Sequence, residues 1–108
     1  MEDPKSVFVN FFGESPFIKV LDFFLIYDDF DYSKCQVADE TGVARMTMDK
    51  IWNELIKKQI IAKTRTVGRA EMYRLNKKNP MVKVLLDFDM KLCAAAARNE
   101  LIPVKSRC

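Results

Sequence analysis

The sequence contains no histidine, so any general acid–base chemistry would fall to Asp, Glu, Lys or Tyr, and no pair of these stands in a recognisable catalytic motif. A glycine-rich phosphate loop and a GxSxG nucleophile turn are also missing. These absences predict a protein that is not an enzyme. Its cysteines, Cys35, Cys93 and Cys108, are odd in number and form no CxxC pair, which predicts incidental thiols in a reducing compartment rather than a disulfide framework or a zinc site. The acidic run "DDFD" at 28–31 is too short and wrongly spaced for a calcium loop, so it reads as a solvated turn, and neither metal nor cofactor is expected. No apolar run approaches the roughly 18 residues that cross a bilayer, and the start "MEDPKSVFVNFF" is acidic rather than basic. A soluble, cytoplasmic protein with no membrane partner is the expectation.

What is present suits one domain: 108 residues, 49% hydrophobic and 31% charged, with no repeat, low-complexity tract or linker. The net charge of +3 is unevenly spread. Residues 1–32 hold two lysines against seven carboxylates, a net of −5; residues 33–78 hold eleven basic against five acidic residues, a net of +6; the rest add +2. A basic middle hints at a polyanionic partner, although a solvated helix face supplies such charge too.

The periodicity predicts a fold that is mainly α with a small β-hairpin, an α+β arrangement. After "SVFVNFF", strand-like or a short helix, Gly13 and Ser15-Pro16 punctuate the chain, and Pro16 suits the first turn of a helix "PFIKVLDFFLIY" that buries Ile18, Leu21, Phe24 and Leu25, with Lys19 and Asp22 interrupting the stripe. Ser33, with Gln36 three residues on, forms a capping box for the short helix "KCQVADET", which Gly42 stops by turning left-handed. In "RMTMDKIWNELIKKQ", Met48, Ile51, Trp52 and Leu55 mark a buried face, and Arg45, Met46, Asp49, Lys50, Asn53 and Lys57 a presented one. "IIAKTRTV" and "EMYRLNK" alternate apolar with polar residues around "GRA", the pattern of an antiparallel hairpin. Asn79-Pro80 then starts a last helix with an apolar stripe of Val84, Leu85, Phe88, Leu92 and Ala95 or Ala96. Trp52 and Tyr73 are expected in the core.

That order, with Ala38 in the first helix of the pair, Gly42 and Val43 at the turn, and Met48 and Ile51 in the second, resembles the helix-turn-helix of winged-helix transcription regulators. The segment "QVADETGVARMTMDKIWNELIKKQIIAKTRTVGRAEMYRLN" is similar to the MarR-like and ArsR-like groups of small prokaryotic regulators, archaeal ones included. "FGESPFIKVLDFFL" is similar to their first core helix. The resemblance covers 13–78 well and both ends poorly; its motifs are more specific for fold than for function. It departs at Ala44, where the pattern usually places a capping Ser or Thr.

The resemblance implies a single winged-helix domain over 1–108 that binds specific double-stranded DNA sequences as a transcriptional regulator. A recognition helix, 45–58, would lie in the major groove, about 12 Å wide, and a wing, 60–76, would track the backbone or enter the minor groove. Base contacts would come from Arg45, Met46, Thr47, Lys50 and Asn53, the same side chains that a merely solvated face would present. Ser33 and Lys34 at a helix start would meet a phosphate, and Lys63, Arg65 and Arg69 would serve the wing. Independently of the resemblance, which covers them least, the ends, 1–12 and 80–98, carry in Phe8, Phe11, Phe12 and the last helix more apolar surface than one domain readily hides, and are expected to form a homodimer that sets the two recognition helices ~34 Å apart. The competing expectation is a winged helix used as a protein–protein interaction module in a larger assembly. No small-molecule effector is legible, and Cys35 as a redox switch would need exposure and a low pKa.

Overall fold

Ser15 caps and Pro16 starts an eleven-residue helix whose stripe of large apolar residues becomes the axis of the molecule, with the first, third and fourth helices and the second strand packed against it. The computed structural model describes residues 6–99. Cys108 and part of the expected dimer element, residues 1–5, lie outside them. In chain order the elements are α1 (Val7–Phe12), α2 (Pro16–Ile26), α3 (Lys34–Thr41), α4 (Arg45–Lys57), β1 (Ile61–Val67), β2 (Ala70–Leu75) and α5 (Pro80–Asn99). The fold of the described residues is therefore five helices with one two-stranded antiparallel hairpin.

Val20, Leu21, Phe24 and Leu25 of α2 share one core with Val37 of α3, Met48, Ile51, Trp52 and Leu55 of α4, Ile61, Leu75 and Val82. A second, small cluster of Val7, Cys93 and Ala96 fastens α1 to α5. Two expectations fail here. Asp22, read as interrupting the apolar stripe of α2, is buried. The last helix turns Val82, Asp89, Cys93 and Ala96 inward, while Val84 and Phe88 of the expected stripe are exposed. Val82, Asp89, Cys93 and Ala96 lie on one continuous face with Leu85 and Leu86 half-buried beside it, a face that includes a carboxylate, so periodicity in apolar residues cannot say which stripe meets the core. A third correction concerns the thiols: Cys93 is disulfide-bonded, whereas Cys35 is exposed and free.

The turn between α3 and α4 follows from local chemistry. Ser33 Oγ accepts from the Gln36 amide and Gln36 Oε1 accepts from the Ser33 amide, at 3.2 and 2.8 Å. Gly42 takes φ +75°, where a side chain would be strained, and its amide donates to the Ala38 carbonyl. Ala44 then stands at the N-cap of α4 in extended geometry with no side-chain bond to the helix. Ala44→Ser is expected to add that bond, gaining about 1 kcal/mol and raising the melting temperature by roughly 4–8 °C. An unchanged melting curve would show that the helix end is already satisfied.

At the other end of α4 the chain reverses through Gln59, at φ +59°, with the Ile60 amide donating to the Leu55 carbonyl. The Asn79 amide donates to the Gln59 carbonyl at 3.0 Å while its Oδ1 accepts from the Met81 amide, so one side chain closes α4 and opens α5. The hairpin pairs Ile61 with Leu75 and Val67 with Ala70. Gly68 at φ +62° makes the tight two-residue tip with Arg69. Its register slips at Thr64, between Lys63 and Arg65. A backbone bridge joins Tyr32 to Tyr73 by bonds of 2.7 and 2.8 Å, so the segment before α3 adds one residue of strand to the hairpin edge.

Candidate nucleic-acid interface

The pose of α4 is set from behind. Trp52 lies between the Phe24 ring of α2, 5.7 Å away, and the Tyr73 ring of β2, 5.4 Å away, with both neighbours inclined to it. A wide indole held on two sides fixes the roll of its helix more firmly than aliphatic contacts alone. With Met48, Ile51, Trp52 and Leu55 buried, the opposite face must carry Arg45, Met46, Thr47, Lys50 and Asn53, and all five are exposed. Met46 is 79% exposed. Arg45 and Lys50 make no ion pair with any described residue.

The other candidate residues are brought beside this face, but not all in the same state. Ser33, Lys34, Asn53 and Arg69 line one groove of about 540 Å3 between the start of α3, the second half of α4 and the hairpin tip. Lys34 and Arg45 line a neighbouring cleft between α3 and α4. Lys34 is tied to Asp49 across the two helices at 2.7 Å, an exposed pair worth well under ~1 kcal/mol and easily exchanged for another anion. Ser33 spends its hydroxyl on its own helix. Lys63 leans toward Glu71 at 3.6 Å on the adjacent strand, and Arg69 at the tip pairs with no described residue.

Arg65 is drawn away from that set. Its Nε and Nη2 donate to the two oxygens of Asp31 at 2.9 and 3.2 Å, and the Thr64 hydroxyl donates to the same carboxylate. The register slip in β1 makes this possible, since it brings consecutive residues within reach of one carboxylate. Lys77 holds Asp28 and Asp29 at 3.0 and 3.1 Å, and Arg74 donates to the Asp28 carbonyl. The "DDFD" run, expected to be a solvated turn, is thus the strap that fastens the base of the hairpin to the end of α2. Sequence reading missed Asp31 because its partners stand 33 and 34 residues away. The one available signal was an acidic run in a chain whose hairpin is basic.

The hydrogen bonds from Arg65 and Thr64 hold the Asp31 carboxyl below its ordinary value near 3.8, and the same pair raises Arg65. A carboxyl lowered in the folded state contributes stability above its unfolded value and loses it as pH falls through the folded one. Urea unfolding of the native chain should therefore weaken as pH drops from about 4, and Asp31→Asn should flatten that acid limb. Parallel curves for the two proteins would rule out the strap as a contributor.

No protein-family model, curated protein or solved structure matches the chain. What the interface can do therefore rests on its geometry: one helix face with free cations and a methionine, and a basic hairpin tip across a groove from it.

Proposed function

We propose that the chain is a winged helix-turn-helix that binds double-stranded DNA as a transcriptional regulator, with α4 in the major groove and the hairpin as a wing on the backbone. The observation that carries the reading is the division of α4: one face wholly buried, the other bearing Arg45, Met46, Thr47, Lys50 and Asn53 exposed, with its two cations free of any described carboxylate. Arg or Lys reads guanine edges, Asn reads adenine, and a Met or Thr methyl meets the thymine methyl. Arg69 lies across the groove from Asn53, placed to meet the backbone beside the bases that α4 would read. Selection of bound sequences from random duplex DNA tests the reading, and one recurrent site is the expected outcome. Failure to enrich any duplex would favour the protein-interaction module, which is the reading supported by the ion pairs that occupy Lys34, Lys63, Arg65 and Lys77.

The same proposal includes a two-fold dimer through the ends of the chain. Phe8, expected in this interface, is instead buried in the core, but Phe11, Phe12 and Phe88 touch one another, with centroids 5.1–6.3 Å apart, and all three are exposed, as are Met81 and Val84 of α5. Apolar surface of this kind marks an interface on soluble proteins. Sedimentation at micromolar concentration should give twice the 12.6 kDa of one chain, and Phe88→Asp should return it to one chain with its helical circular dichroism intact. A native chain that sediments as a single copy, with and without DNA, removes the dimer and the expectation of a palindromic site.

A further inference from the structure

The second half of α2, the segment before α3 and α3 itself border an open recess of about 340 Å3, lined by Phe23, Tyr27, Tyr32, Gln36, Asp39 and Glu40. Three of the six are aromatic, two are carboxylates, and none is Lys or Arg. The rings meet at angles rather than stacking: Phe23 to Tyr27 at 4.9 Å and 52°, Phe23 to Tyr32 at 5.0 Å and 75°, Tyr27 to Tyr32 at 6.3 Å and 66°. The three tilted rings all line the recess, which is therefore bordered by aromatic surface. An aromatic face carries negative potential, so such a border suits a positive group too weakly hydrated to prefer water.

The charge points the same way. The other described carboxylates are ion-paired or otherwise engaged, from Asp28, Asp29 and Asp31 in the strap to Asp49, Glu54, Glu71 and Asp87 on the helices and hairpin, with Glu14, Asp22 and Asp89. Asp39 and Glu40, side by side at the rim of the recess, pair with no described residue. Both are exposed side chains of α3. Lys19 lies in the adjoining cleft that shares Tyr27 and Glu40 but does not pair with either carboxylate. The Tyr32 phenol is raised above its ordinary value, first by burial and then by Tyr27, Glu40 and Asp31, so the rim carboxylate is felt at the ring.

We propose that this recess is a binding site for a small quaternary or fully methylated organic cation, taken between the faces of Tyr27 and Tyr32 over Phe23, with Asp39 and Glu40 balancing its charge. The volume lies at the small end of ligand sites, which fits a trimethylammonium head with a short tail. An ammonium bearing hydrogens would lose more hydration than the rings return, and a neutral molecule of the same shape would gain no attraction from the two carboxylates. The site adjoins the proposed DNA face through Asp39, which also lines the cleft with Lys34 and Arg45, but does not depend on it.

Choline and its neutral isostere 3,3-dimethylbutan-1-ol differ by one charge at equal shape, so they make the decisive pair of probes. Titration followed by backbone amide NMR should give saturable shifts at Tyr27, Tyr32, Asp39 and Glu40 with choline, at roughly millimolar affinity, and about 5- to 20-fold weaker binding of the isostere. Tyr27→Leu keeps apolar bulk but removes a π face, and should weaken choline by about tenfold. The double variant Asp39→Asn with Glu40→Gln alters only exposed side chains and should weaken choline while leaving the isostere unchanged. Equal affinity for the two probes, shifts that map elsewhere, no shift at all, or choline binding indifferent to the double variant would each overturn the site.

Discussion

Phe24→Ala is expected to lower the unfolding free energy by about 3–5 kcal/mol, a large part of the 5–15 kcal/mol typical of a domain. Phe24 is fully buried at the centre of α2, its ring meeting Phe23 on one side and Trp52 of α4 on the other. Removing it opens a cavity between the two helices and releases the indole that sets the roll of α4, so the loss combines transfer, cavity and orientation. Phe12→Ala is the control: that ring is 48% exposed, and its removal should cost under about 1 kcal/mol. Urea unfolding at fixed pH separates them. Equal losses would mean that the aromatic patch, not the α2–α4 contact, holds the molecule together.

Arg45→Ala and Lys50→Ala should each weaken binding to the preferred duplex by about 1–3 kcal/mol, or roughly 5- to 150-fold, and relax the preference at particular base pairs. Both side chains project from the face of α4 opposite Met48, Ile51 and Leu55, so the variants leave the core intact and melting temperatures should barely move. Arg69→Ala gives the contrasting pattern. If its guanidinium meets one phosphate, all duplexes are weakened alike and the log–log salt slope falls in magnitude by about 1. Arg65 is expected to behave differently again: held by both oxygens of Asp31, it must break a bidentate pair to reach DNA, and Arg65→Ala should alter stability more than affinity. A uniform loss in the Arg45 and Lys50 variants would assign them to phosphates and leave the specificity of α4 without a source.

The net charge of the middle of the chain illustrates what a linear reading misjudges. Its excess of six positive charges looks available to a polyanion, but Arg65 and Lys77 are answered by the acidic run of the preceding segment. Lys34, Lys58 and Lys63 are answered by Asp49, Glu54 and Glu71 within the middle segment itself. Of the six cations among the ten candidate residues, Lys34, Lys63 and Arg65 are paired, and Arg45, Lys50 and Arg69 pair with no described residue. That narrows the candidate interface to the first half of α4 and the hairpin tip.

The sequence by itself determined the local devices: the Ser33–Gln36 capping box, the left-handed Gly42, the uncapped Ala44, the buried face of α4 and the pairing of the two strands around Gly68. Each depends on residues a few positions apart, where side-chain chemistry and backbone geometry act directly on one another, so a reading of spacing suffices. Tertiary structure alone decided which apolar stripe of α5 turns inward, that Asp22 is buried, that the acidic run straps the hairpin, and that Tyr27, Tyr32, Phe23 and Glu40 meet around one recess. Those outcomes depend on contacts between residues distant in the chain, and a helix with two apolar stripes or an acid with several basic partners has no local preference among them. The choice is made when α2 has assembled its neighbours, by whichever arrangement buries the most apolar surface while leaving each buried charge answered.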